Sequence, residues 1–438
     1  MSAPWLVVLA GGVAAMQVGK LPPALPALQA ELGLSLVQAG FLLSIVQLAG
    51  LSVAVFMGLW ADVAGLKRTM LRGLWLLAFA SALGGLATSV TSLLVLRAIE
   101  GLGFLCVALP APALIRRLVP AEKLSGMLGV WGAYMPMGTA LAMLFGPLFI
   151  PALGWAAWWW LFALLAVAMA LALAQGVPDD PGPVQALTLP YGQAAHAEIG
   201  AQGARSHEPI NVSLSVSLSM SSSLSISVSS SQSPSAWARL RRTLRAPGPW
   251  LVALTFAMYS GQWLAVVGFL PSIYAAAGLS GALLGVLSAL AAAVNVFGNM
   301  AAGLCLQRGW APQTTLWLGF AAMALGSTWA FAPFTQEWPW VRYAGVLLFS
   351  GLGGLVPGTL FSLAVRLAPG EQQVATTVGW VQQLSALGQF AGPPAVASVA
   401  AHAGGWHFTP WVTVTCCVLG AAFAGLASRL AAQAQSRP

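Results

Sequence analysis

Twelve mostly apolar stretches follow one another along the chain, at 4–20, 36–57, 69–89, 92–115, 125–148, 153–175, 249–270, 280–304, 312–333, 340–363, 374–397 and 408–430. A helix needs roughly 20 such residues to cross the apolar layer of a bilayer. Only elements that satisfy their backbone polar groups internally survive there, and helices interrupted by glycine or proline remain acceptable. The expected class is therefore an all-α membrane protein with twelve transmembrane helices. Composition removes the soluble alternative: 6% of the residues are charged, against about a quarter in soluble domains. The first stretch has no basic residue before it and a counterpart later in the chain, so it reads as a span, not a signal peptide.

A net charge of +8 and a pI near 9.9 would suggest nucleic acid in a soluble chain. Here Lys and Arg flank the apolar stretches and report topology instead. With the N-terminus inside, fifteen of the eighteen basic residues fall in cytoplasmic segments, Lys20 and Arg342 fall toward the outside, and Arg97 lies within a span. That bias places both termini in the cytoplasm of a cell inner membrane. Cys106, Cys305, Cys416 and Cys417 lie in or beside apolar runs with no metal-ligand spacing. They read as small hydrophobes, and no metal or cofactor is expected.

The chain also resembles itself. An offset of 245 residues aligns Pro4-Trp5-Leu6-Val7 with Pro249-Trp250-Leu251-Val252, Gln17 with Gln262, and Leu25-Pro26 with Leu270-Pro271. An offset of 250 then aligns Gly101-Leu102-Gly103 with Gly351-Leu352-Gly353, and Arg116 with Arg366. Six helices repeated in one orientation form a parallel repeat about an axis along the membrane normal, with a cavity between the two bundles near mid-membrane. The organisation expected is a six-helix bundle over 1–176, a cytoplasmic linker over 177–248 and a second bundle over 249–438. The linker carries a serine-rich tract and reads as low-complexity and largely disordered. Its sequon at Asn211 lies on the wrong side for glycosylation. Arg239, Arg241, Arg242 and Arg245 end the linker where anionic headgroups would attract them.

Between spans two and three stands Gly58-Leu-Trp-Ala-Asp62-Val-Ala-Gly65-Leu-Lys67-Arg68. Gly58 and Gly65 allow a tight turn and close helix approach, and Asp62 stands where it can pair with a cation or cap a helix N-terminus. Lys67 and Arg68 would hold the loop inside. This stretch closely resembles the cytoplasmic signature of the major facilitator superfamily. The second-half copy has Gln307 in place of the acid, followed by Arg308. The resemblance covers the chain apart from the linker and implies alternating access of two bundles, with this loop controlling the inner gate. Leu25–Ser35, Phe269–Ser280, Gly351–Pro357 and Gly388–Pro394 are similar to the cyanate-transporter-like branch, although Gly19-Lys20-Leu21-Pro22-Pro23 departs from its pattern. Nitrate porters of the superfamily use arginines in spans two and eight, whereas these spans here carry Gln47, Asn295 and Asn299, which argues against nitrate. Gly129–Gly138 is partly similar to the proline-glycine motif of antiporters and reads as a kinking and packing device, with antiport the alternative.

Ionisable groups within a span are costly and mark a cavity or a partner. Arg97 and Glu100 share one face of the fourth helix; they serve proton coupling and solute charge recognition, or simply lock the bundle. Lys20 adds a second cation suited to a small anion, or snorkels outward to headgroups. Gln17 and Gln262 occupy matched positions that should look across the cavity, with Gln47, Tyr134, Tyr259, Gln382 and Gln383 completing a polar lining. Each amide offers donors and an acceptor for a ligand, or bonds between helices.

These observations predict a monomeric secondary transporter, not an enzyme, moving a small anionic solute by alternating access, with proton symport through Glu100 an option. The solute and the membrane lipids are its partners, and nucleic acid is not. An efflux antiporter of the same fold is the alternative. A membrane-embedded transferase would need a reactive cluster, yet His402 and His407 have no carboxylate close in sequence. A solute sensor of the same architecture is a further alternative. No phosphate-binding loop is present, so a gradient must supply the energy.

Overall fold

Some helices in this chain break at proline, which withdraws a backbone donor, or at glycine, which supplies a turn, and these breaks shape the architecture. The computed structural model describes residues 2–180, 236–370 and 373–435, and every regular element among them is helical. The first half contains α1 (Ala3–Gly19), α2 (Leu21–Leu32), α3 (Leu36–Ser44), α4 (Leu48–Ala64), α5 (Leu66–Gly84), α6 (Val90–Ala108), α7 (Ala111–Leu118), α8 (Ala121–Gly132) and α9 (Tyr134–Gly176). A short α10 (Ala236–Arg245) precedes the second half. That half contains α11 (Pro247–Ala276), α12 (Gly281–Gln307), α13 (Pro312–Phe331), α14 (Pro339–Gly353), α15 (Leu355–Arg366), α16 (Val374–Ala403) and α17 (Thr409–Gln435).

α1 and α2 form one rod interrupted at Lys20, whose backbone stays near helical values. Pro22 and Pro23 follow; neither has an N–H, so two carbonyls one turn earlier lose their helical partners. α3 and α4 join through a single 3-10 turn at Ile45–Gln47. α6 and α7 likewise make one rod, as do α14 and α15. Gly154, at φ 84°, divides α9 into two legs. The Phe149 and Trp158 rings lie 5.3 Å apart across that turn, so the chain doubles back there. The helices thus line up, among the described residues, as twelve rods, six in each half. Eight helical segments are long and apolar enough to cross a membrane by length and composition, the segment 122–176 counting once although Gly154 divides it. The protein is a multi-pass membrane protein.

Several rods outrun the stretches that apolarity alone marks out, two of them past a proline. The first extends to Leu32 and the seventh to Ala276, because Pro26 and Pro271 sit inside their helices without ending them. The segment expected as a linker is already helical over Ala236–Arg245. Its serine-rich tract and Asn211 lie outside the described residues.

Each half has its own apolar core. One gathers Leu74, Leu77, Val107 and Ala170, and the other Val252, Phe320, Phe349 and Leu360. A third cluster joins the halves at the end of the bundle remote from both termini. There Phe269 and Ala397 of the second half are buried with Leu25, Leu28, Leu42 and Trp158 of the first. Phe41 meets Phe390 edge-on, with ring centroids 6.4 Å apart. The halves are therefore closed against each other at that remote end.

Candidate functional site

The deepest charges of the chain converge inside the first half. Lys20 stands at the break between α1 and α2, Arg97 and Glu100 lie one turn apart on α6, and all three are fully buried. The Lys20 Nζ lies 2.6 Å from Glu100 Oε1, and Arg97 Nη1 lies 2.7 Å from Glu100 Oε2. Each carboxylate oxygen therefore serves a different cation. Lys20 also donates to Ser81 Oγ at 2.6 Å and Gln17 Oε1 at 2.7 Å. Its ammonium sits 4.8 Å from the centroid of the Trp159 ring, within cation–π range. Arg97 Nη1 donates further to the Gln17 carbonyl at 2.7 Å. Its Nε and Nη2 are buried and have no protein partner. Lys20 does not snorkel: the Leu21-Pro22-Pro23 break directs it into the bundle.

The matched glutamines do not look across the interface. Gln17 donates to the Phe162 carbonyl at 3.0 Å, and Gln262 donates to the Met258 carbonyl and accepts from Cys417 Sγ. Each therefore turns toward the last rod of its own half. The repeat keeps the position, but helix packing within the half fixes the direction.

The second half answers with a neutral network. Asn295 Nδ2 donates to the Tyr259 hydroxyl at 2.9 Å and to the Ser350 carbonyl at 2.8 Å. Asn299 Nδ2 donates to Asn295 Oδ1 at 2.9 Å, and Trp263 Nε1 to Ser350 Oγ at 3.1 Å. Between the halves, Gln47 Nε2 donates to Gln389 Oε1 at 2.9 Å and Gln383 Nε2 to the Leu51 carbonyl at 2.6 Å. Tyr134 stacks on Trp131 with centroids 4.3 Å apart and belongs to an aromatic packing group. Gln382 is exposed on α16, away from both networks. The predicted polar lining is thus distributed: Gln17, Lys20, Arg97 and Glu100 in one cluster, Tyr259 in another, and Gln47 and Gln383 at the interface.

The signature loop joins two helix ends with opposite partial charges. Gly65 adopts φ 94°, a conformation open to glycine, and lets α5 start abruptly. Asp180 accepts from the backbone N–H groups of Lys67 and Arg68 at 3.1 and 3.0 Å, and pairs with Arg117 at 3.1 Å. A carboxylate there suits the positive end of a helix. Lys67 Nζ donates to the Ala174 and Val177 carbonyls at the C-terminal end of α9 and to Asp179 at 2.8 Å. That bond, followed by the Lys67 charge, holds the Asp179 carboxyl below its ordinary value of 3.8. Lys67 is therefore a helix-end clamp as well as a topology signal. Gly58 and Asp62 belong to α4, and the surroundings of Gly58 and the side chain of Asp62 lie outside what is described.

Sequence reasoning missed Ser81, Asp179, Asp180 and Gln389. The paired acids after the sixth span, facing the basic loop, were the available signal for the clamp. Ser81 carried a weaker one, since Ser327 stands at nearly the repeat offset and accepts a bond at 2.9 Å from Thr413 in the last rod.

Comparison with known proteins agrees with this architecture. The chain is 30% identical over 158 residues to the tetracenomycin C resistance and export protein of Streptomyces glaucescens, covering 35% of this chain and 29% of that protein. It is 30% identical over 167 residues to NiaP of Bacillus subtilis, named for niacin/nicotinamide transport, covering 38% and 42%. The chain thus spans less than half of either relative. Its fold matches a bacterial homologue of the human lysosomal transporter Spinster with a TM-score of 0.72 at 15% identity, over 97% and 96% of the two chains. The Major Facilitator Superfamily profile matches residues 7–393, and with twelve rods in two repeated halves the chain belongs to that superfamily.

Proposed function

We propose that the chain is a secondary transporter of a small monoanion, with the Lys20–Arg97–Glu100 cluster as the element that recognises negative charge. One observation carries this reading: two cations share a single carboxylate in a sealed site, while Arg97 Nε and Nη2 stay buried with no protein partner. Burying donors without partners is costly, and guanidinium forks match carboxylates and similar anions. Transport would follow from rocking the two halves about the remote apolar contact, with the break at Lys20 as the flexible point of the first rod. The Lys67–Asp180 clamp would stiffen the first half during that motion, with both termini in the cytoplasm of the cell inner membrane. The likeness to the cyanate-transporter-like branch fits the same class of solute.

A second reading, efflux of larger apolar compounds, is favoured by relatives named for tetracenomycin export and multidrug resistance. Thermal melting of detergent-purified protein separates the two. The panel is small monoanions, neutral solutes and lipophilic cations, with wild type beside Arg97→Gln. The anion reading requires stabilisation by a monoanion that Arg97→Gln abolishes. Stabilisation by lipophilic cations alone, equal in both proteins, replaces it with efflux.

A further inference from the structure

Lys20, and not Glu100, is the group whose proton has somewhere to go. Glu100 accepts from two cations, one on each oxygen. Arginine does not deprotonate in proteins. The excess positive charge of the sealed cluster can therefore be removed in only two ways: Lys20 loses its proton, or an anion enters. Buried lysines change protonation readily. Among the described residues, the charged groups that face Lys20 are Arg97 and Glu100 on α6. α5 contributes the Ser81 hydroxyl, α1 the Gln17 amide, and α9 the Trp159 and Phe162 rings. The neighbours also tolerate the neutral amine. It would still donate to Glu100 Oε1, and the Ser81 hydroxyl, now donating to the Trp159 carbonyl at 3.0 Å, can rotate to donate to the amine nitrogen instead.

We infer that Lys20 is the proton carrier of this transporter, taking up one proton with each monoanion bound at the free edge of Arg97. The inference rests on the anion reading above. The charges balance in both states. Empty, the cluster holds neutral Lys20, Arg97 as a cation and Glu100 as an anion, and is neutral. Loaded, it holds protonated Lys20, Arg97, Glu100 and the bound anion, and is again neutral. The proton enters from water on the open side as H⁺, forms the fourth bond of the ε-nitrogen, and leaves with the solute on the other side. Both halves of the cycle then cross the apolar layer without net charge, so the symport is electroneutral. Linkage fixes the sign: the anion raises the Lys20 midpoint, and protonation of Lys20 strengthens anion binding by the same factor.

The chain has three lysines, Lys20, Lys67 and Lys123, so protein labelled with ¹³Cε,¹⁵Nζ-lysine gives a tractable spectrum. Lys20 is assigned by elimination, using Lys67→Arg and Lys123→Arg. The purified full chain is titrated from about pH 5 to about pH 11, alone and with acetate or thiocyanate, while calorimetry follows the binding of each anion. The expected result is a Lys20 transition that moves up by at least about one pH unit when the anion binds. The apparent Kd should rise by nearly tenfold per pH unit between the two midpoints. Anion binding beside a Lys20 signal that stays charged throughout, or whose midpoint does not move, overturns the inference and leaves the anion reading standing. If neither anion binds at any pH, the anion reading falls and the inference falls with it.

Discussion

The two halves share one six-rod plan, and among the described residues only the first half buries charge within it. At the repeat offsets, Lys20 faces Ala265 in register, Arg97 faces Leu347 and Glu100 faces Ser350, while Gln17 keeps its match in Gln262. Ser350 still sits at the centre of a network, receiving bonds from Trp263 and Asn295. The interior network of the second half around Ser350 is therefore neutral. Charge at this position is not a requirement of the six-helix fold. A buried ion pair is in any case weak support for stability, and retention of one with an excess cation points to a task beyond folding.

The sharpest way to break this contrast is Glu100→Gln, which strands the buried Arg97 and takes a charged partner from Lys20. Removing one partner of a buried pair costs about 3–5 kcal/mol, and the melting temperature in detergent should fall far more than for any change in the second half. Arg97→Leu, which copies the second half, should melt within a few degrees of wild type because the Lys20–Glu100 pair remains neutral, yet it should lose stabilisation by monoanions. A large loss of stability instead would make the cluster structural. Asn295→Ala in the neutral network should cost about 1–3 kcal/mol, the penalty for buried partners left unpaired, and leave anion stabilisation intact. Asp180→Ala uncaps α5 and releases Arg117, at about 1 kcal/mol; proteolysis near residue 66 should quicken. The neighbouring Lys67–Asp179 bond has its own pH signature. Because the Asp179 carboxyl is held low, the bond is intact above 3.8 and is lost as pH falls through the lowered value, which near-neutral melting curves should not register. Gln382→Ala, on an exposed site, should shift stability by less than about 0.5 kcal/mol.

The fold was legible because its signals are long: runs of apolar residues, a repeat in a fixed order and a loop motif. The membership of the site was legible in part, since a charge within a span stands out in any apolar background. Its geometry was not. The offset pairs Gln17 with Gln262, but whether an amide faces inward or across depends on packing against Phe162 and Cys417, which lie 145 and 155 residues away. Lys20 followed the same logic. Apolarity places it near the end of a span, and only the continuation of the rod through Pro22, Pro23 and Pro26 puts it deep inside. Ser81 and Asp180 are polar residues of ordinary appearance whose roles come entirely from partners distant in sequence.

The single-residue turn at Gly154 has a mechanical consequence. Rods five and six share that corner with no slack between them, so they act as the two arms of a bell crank. One arm lies against α12 of the other half, where Gly285 leaves no room beside the Leu144 carbonyl. The tip of the other arm carries the Ala174 and Val177 carbonyls gripped by Lys67. One glycine thus joins the contact between the halves to the loop at the far end of the bundle. Lengthening that corner by a few residues would leave both arms folded and disconnect the drive from the load.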